Sequence, residues 1–208
     1  MRWPREMRLT VLVGVFVAGM LAAALMSRTV LAGVQGSTSA EKENAAKLDV
    51  LLAKDEISQQ IYNYSRALDR MDKDLALKMM HPDGKWGDGP REQFVKGAWD
   101  INGTFATHSH QMTNSSIKVN GNTAVSETYG WVPLRRPIKD GDKTASTEVY
   151  VTRYVDRWSK RNGKWALDER QLIVDMHMIL QEQLTTPSQR VSGGRRDKTD
   201  PSYRIFPY

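Results

Sequence analysis

Apolar residues recur along the chain with two different periods, and the switch between them divides it. Leu48, Leu51, Leu52, Ile57, Ile61, Tyr64 and Leu68 fall at mostly three- and four-residue steps, the spacing that gathers side chains on one face of an α-helix. The stripe predicts a helix of about six turns beginning near Leu48 and lying on a partner surface. Residues 72–84, "DKDLALKMMHPDG", predict a short second helix capped at Asp72 or Asp74 and stopped by Pro82 and Gly84. Residues 90–102, "PREQFVKGAWDIN", predict a third, with Pro90 in its first turn and Phe94, Ala98 and Ile101 on one side.

After Gly103 the pattern becomes strand-like, over 105–119, 123–134, 145–160 and 164–178. The Asn-Gly joints at 120–122 and 161–164 are hairpin signals, and "IKDGDK" at 138–143 is a longer turn. Helices followed by an antiparallel meander predict an α+β fold, with the helices on one face of a sheet. Strands of 12 residues or more exceed the usual length, so the sheet is expected to curl and enclose a pocket against the helices.

The N-terminus changes the picture of where this domain works. Arg2, Arg5 and Arg8 precede an apolar run over 9–26, and Val30 and Ala32 suit signal peptidase. Residues 1–32 therefore read as an export signal, which places the protein in the periplasm. The alternative is an uncleaved anchor facing the periplasm, because 18 apolar residues are near the minimum for a span. Residues 33–46 read as a linker, 47–182 as the domain and 183–208 as a basic tail. Tyr203, Ile205, Phe206 and Tyr208 predict that the tail end docks on the domain or a neighbouring subunit.

Charge excludes more than it suggests. The formal net charge is +6, but residues 1–32 hold four arginines and one glutamate, which leaves +3 for the rest. No basic stripe is interleaved with aromatics, so nucleic acid is not an expected partner. With no cysteine in the chain, thiol nucleophiles, disulfides and thiolate metal sites are excluded.

The chemistry is sought first in "THSHQMTN", residues 107–114. On a strand His108 and His110 share a side with Met112 and Asn114. A metal site needs a third ligand, and His81, His177, Glu127 and Glu148 show no recognised spacing to the pair. No metal is expected. Asp69, at the edge of the first helix's apolar stripe, is the carboxylate able to orient His110 as a general base. Its other readings are a cap for the next helix or a partner of Arg66 or Arg70. Trp86, Tyr64, Met112 and Trp131 suit the wall of an apolar or aromatic pocket, or plain core.

Three segments, "ISQQIYNYSRALDRMDKDLALKMMHPDG", "THSHQMTNSSIKVNGNTAVSETYGW" and "YVTRYVDRWSKRNGKWALDERQLIVD", resemble SnoaL-like proteins of the nuclear-transport-factor-2-like superfamily. The resemblance implies a cone, a strongly curved antiparallel sheet wrapped on three N-terminal helices. In scytalone dehydratase and hexachlorocyclohexane dehydrochlorinase of that superfamily, an aspartate ending the first helix and a histidine after the third act together, without metal or organic cofactor. Asp69 and His110 match those positions, and Asn114 follows at the usual distance. The acid side is not matched: Leu68 and Trp86 stand where the dehydratase has tyrosines, and its second histidine falls near Tyr150 or Thr152. Tyr150, Tyr154, Tyr129 and Arg153 are the candidates for that electrophilic role, strand register deciding among them. The expectation is an exported lyase acting on an aromatic or polycyclic small molecule. A non-catalytic binding or assembly module and a double-bond isomerase are its alternatives, and a homodimer or homotrimer the expected assembly.

Overall fold

A computed structural model describes residues 38–184 and 193–206. The apolar run over 9–26 and the rest of the export segment lie outside the described residues. Residues from Asp49 onward form one compact unit.

The first helix, α1 (Ser39–Asp69), begins well before Leu48, inside the stretch expected to be a linker. A capping box starts it: Thr38 Oγ1 accepts from Glu41 N at 3.2 Å, while Glu41 Oε2 accepts from Thr38 N at 2.6 Å. Its buried residues are Ala53, Ile57, Ile61, Tyr64, Ala67 and Leu68. Leu48, Leu51 and Leu52 are exposed, so the predicted stripe is core only from Ala53 onward. Each fully buried isoleucine contributes about 1.5–3 kcal/mol.

The end of α1 is a tight corner. Met71 takes a left-handed conformation, φ +52°, while Asp72 N bonds Ala67 O at 2.8 Å and Met71 N bonds Leu68 O at 3.2 Å. These bonds form a Schellman cap with methionine in the place usually held by glycine. Asp72 then caps α2 (Lys73–Lys78), its Oδ1 accepting from Leu75 N at 3.1 Å.

Where the sequence pattern predicts only a helix stop, the chain forms β1 (Met80–Trp86), the short β2 (Gly89–Pro90) pairing back onto it. β1 runs parallel to the last strand, and its register shifts between Met80 and Lys85. Pro82 and Gly84 sit inside that irregularity, where a missing N–H costs no regular ladder bond. α3 (Arg91–Asn102) follows, burying Val95, Trp99 and Asn102.

The remaining strands are β3 (Thr107–His108), β4 (Gln111–Asn120), β5 (Thr123–Arg135), β6 (Thr144–Arg161) and β7 (Lys164–Gln183). They pair in the order β2-β1-β7-β6-β5-β3, with β4 also on β5. Apart from β1 with β7, every pair is antiparallel. The joint between β6 and β7 is the predicted Asn-Gly turn, with Asn162 at φ +53° and Gly163 at +79°. Register shifts interrupt the β4–β5 and β6–β7 ladders, and such irregularities bend long strands. The result is an α+β cone, a curled sheet wrapped on three helices among the described residues. Among those residues no helix is long and apolar enough to cross a membrane.

Candidate functional site

Asp69 closes α1 and His110 stands between β3 and β4, so the fold must carry two distant chain segments to one place. Asp69 receives His110 three ways: Oδ1 lies 2.6 Å from Nδ1, and Oδ1 and Oδ2 accept the backbone N–H at 3.1 and 3.0 Å. The His110 side chain is 6% exposed and that of Asp69 14%. An ionised carboxylate only accepts hydrogen bonds, so Nδ1 carries the proton and the lone pair of the neutral imidazole sits on Nε2. Nε2 makes no hydrogen bond among the described residues. Both the tautomer and the direction of the ring are thus set by Asp69.

His110 opens onto a cavity of about 540 Å³, within the usual range for small-molecule sites. Tyr64 and Leu68 of α1, Phe94, Ala98 and Ile101 of α3, and Trp86 of β1 form much of its wall. The Phe94, Ala98 and Ile101 side of α3 therefore faces the cavity, and its core side is the Val95–Trp99 side. Trp86 and Phe94 stack with centroids 3.6 Å apart, and Tyr64 lies 5.7 Å from Trp86 and 5.3 Å from Tyr154. An aromatic wall of this kind favours flat, uncharged ligands.

The polar groups in that wall are few. Tyr64, Tyr150, Thr152, Tyr154, Gln93 and Asn102 accompany His110. Burial, and then the adjacent Tyr154, push the Tyr64 phenol well above its ordinary pKa, and burial raises Tyr154 as well. Both remain neutral O–H donors at any physiological pH. Gly130 makes room for Thr152 and Tyr154. A Cβ there would lie 2.7 Å from Thr152 Oγ1 and 2.9 Å from Tyr154 Cε2. Tyr150 donates to Glu148 Oε2 at 2.9 Å and stacks on His177.

Behind the aromatic wall lies a group that sequence reasoning missed. Arg170 is 1% exposed and Asp156 0%, paired at 2.6 and 2.7 Å through two parallel hydrogen bonds. Burial opposes the charge on Arg170, and the Asp156 carboxylate outweighs it. The guanidinium carbon lies 4.4 Å from the Tyr64 ring centroid and 4.9 Å from that of Tyr154, worth about 2 kcal/mol where the cation is desolvated. The signal was Asp156, a carboxylate on the same strand face as Tyr154 and Trp158.

Five expected site residues lie elsewhere. Between Met112 and Ser115 the β4 ladder gains one residue over its partner, which reverses the facing of all that follows. Asn114 is left exposed. Met112 stays half-buried against the core, outside the cavity lining. Tyr129 and Trp131 occupy the outward positions of β5, whose buried residues alternate at 124, 126, 128, 130, 132 and 134. Arg153 shares that outer face, where Asp175 holds it at 2.8 and 2.9 Å. His108, expected to share a side with His110, stands outside the cavity lining. It is buried, its Nε2 donating to Asn102 O at 2.9 Å, and burial, followed by nearby Arg196, lowers its pKa from 6.5 to about 4. Among the described residues no cluster of three His, Asp or Glu side chains suits a metal ion.

A family model described as a SnoaL-like domain matches residues 49–171. Among solved structures, a putative scytalone dehydratase from Novosphingobium aromaticivorans is similar at TM-score 0.55 and 19% identity, over 68% of this chain and 97% of that one. Hexachlorocyclohexane dehydrochlorinase LinA-type3 from Novosphingobium barchaimii gives TM-score 0.56 and 14% identity, over 68% and 99%. Kfla4162 protein from Kribbella flavida gives 0.53 and 15%, over 60% and 92%. At these identities the likeness is one of fold. Comparison with curated proteins gives no match.

Proposed function

The chain belongs to the SnoaL-like domain family, and from that premise we propose that it is an exported, cofactor-independent lyase acting on an aromatic or polycyclic small molecule. The observation that carries this reading is the His110–Asp69 pair, which leaves Nε2 unbonded at the wall of an aromatic-lined cavity. Nε2 removes a proton from the substrate. In elimination the proton comes from carbon, the pair left behind forms the double bond, and halide leaves the adjacent carbon with its bonding pair, or hydroxide leaves it and takes the proton from His110 to become water. In aldehyde release the proton comes from a hydroxyl, whose oxygen forms the C=O as the C–C bond breaks, and the pair freed on the remaining carbon takes that proton back from His110. Tyr154, with Tyr64 beside it, supplies the neutral O–H that stabilises charge developing on oxygen. Tyr129 and Arg153 are set aside for that role because both stand on the outer sheet face.

The arginine-flanked apolar run supports action in the periplasm, free or anchored. Val125, Tyr129, Trp131 and Val155, exposed on the outer sheet face, support a homodimer or homotrimer. The test is to incubate the protein with a panel of aromatic dimers and hydroxylated or halogenated polycyclic compounds, following substrate loss and product mass. Turnover is expected, with His110→Ala reducing it by about 10²–10⁴-fold. Binding without turnover makes the protein a non-catalytic module, product of unchanged mass makes it an isomerase, and an undiminished His110→Ala removes the dyad from the mechanism.

A further inference from the structure

The family match ends at residue 171, yet the segment 193–206 returns to the two places that hold the dyad. On one side, Arg196 Nη2 donates to Asn102 O at 2.8 Å and Nη1 donates to Phe105 O. Asn102 ends α3, so the guanidinium sits on the negative end of that helix, and its planar fork spans two carbonyls as an ammonium would not. Asn102 O also receives His108 Nε2 at 2.9 Å. Phe105 N reaches the same oxygen at 3.2 Å, so the turn after α3, the loop that leads to His110 and the tail converge on one carbonyl.

On the other side, the residues flanking Asp69 are each engaged. Arg70 Nε lies 3.3 Å from Asp200 Oδ1, and Arg66 Nη1 donates to Ser202 Oγ at 3.2 Å, its guanidinium 4.5 Å above the Tyr203 ring. Tyr203 Oη donates to Asp72 Oδ2 at 3.1 Å. The other Asp72 oxygen caps α2. Between the two anchorages the segment is braced on itself. Asp200 accepts from Arg195 N at 2.7 Å and Ser202 N at 3.0 Å, and Asp197 accepts from Thr199 N at 2.6 Å. A short, internally bonded stretch therefore ties the corner bearing Asp69 to the loop bearing His110.

We propose that segment 193–206 is a strap that positions the catalytic pair, with Arg196 as its positioning residue. This rests on the reading of His110 and Asp69 as a working dyad. The reason for a strap is geometric: a base and its orienting carboxylate come from elements 41 residues apart, and a misplacement of ~1 Å costs about 10²-fold in rate. Arg196 touches neither member and acts through Asn102, Phe105 and His108.

The test uses the full chain with ¹⁵N-labelled histidine. A proton held between Nδ1 and a carboxylate gives a downfield, slowly exchanging resonance, assigned by its loss in His110→Ala. In Arg196→Met the resonance broadens or disappears while unfolding remains cooperative; in Arg196→Lys it partly returns; in Tyr203→Phe it weakens. On any compound that the panel turns over, Arg196→Met lowers kcat by up to about 10²-fold with KM near that of the wild type. A resonance unchanged in Arg196→Met and Tyr203→Phe overturns the strap, as does a wild-type protein lacking that resonance. Should Arg196→Met fail to fold, Tyr203→Phe, which loses one hydroxyl, decides alone. A panel without turnover removes the lyase reading and leaves the resonance comparison intact.

Discussion

Tyr64 lies against two buried pairs, and they are built for opposite ends. Its ring is 4.4 Å from the Arg170 guanidinium carbon on one side and 6.0 Å from the His110 ring on the other. Asp156 and Arg170 pair through parallel hydrogen bonds, are sealed from solvent and stand outside the cavity lining, and Arg170 Nη1 is buried with no hydrogen-bond partner among the described residues. Asp69 and His110 share three bonds that stop at Nδ1 and the backbone, leaving Nε2 at the cavity. What makes a buried polar group available for chemistry is an unused hydrogen-bonding position that faces a cavity, which His110 has and Arg170 lacks. Burial alone does not distinguish the two.

That contrast breaks most sharply by removing one carboxylate at a time. Asp156→Ala strands a guanidinium in the core and is expected to cost about 3–5 kcal/mol in urea unfolding, while Asp69→Asn costs about 1 kcal/mol and takes most of the turnover. Similar stability losses in the two variants would mean that the dyad is a second structural pair. A smaller effect separates the two neighbouring histidines. His108 has its pKa lowered from 6.5 to about 4, so between those values the unfolded chain binds a proton that the folded chain does not. Its contribution is complete above about pH 6.5 and is lost as the pH falls towards 4, on the order of 2 kcal/mol. His108→Gln, which keeps a donor for Asn102 O, flattens that part of the stability profile; an unaltered slope assigns it to other groups. The smallest effect is expected on the outer sheet face. Arg153→Ala leaves turnover at the wild-type level, and a loss of kcat there returns Arg153 to the list of electrophiles.

The helices and hairpins were legible because their signals are local. The apolar stripe from Ile57 to Leu68 is core, Asp72 is a cap, and Asn162–Gly163 is a turn, each decided within a few residues of chain. β1 was hidden because its partner, β7, lies some 80 residues later and because Pro82 and Gly84 resemble a stop. The start of α1 was misplaced for the opposite reason, a polar capping box standing in a stretch whose composition suggests a linker.

The same division runs through the site. The amino-acid sequence by itself determined that an aspartate at the end of the first helix and a histidine after the third are present in the order a cone requires, with enough aromatics to line it. Only the tertiary structure decided which aromatics do so. One extra residue in β4 turned Asn114 outward, strand alternation sent Tyr129, Trp131 and Arg153 to the outer face, and a buried arginine took the space behind Tyr64. It also decided that Arg196 reaches the loop before His110. Facing is a cumulative property of register, and the docking of a distant segment depends on surfaces that exist only once the sheet has closed, so neither is written in any short stretch of chain.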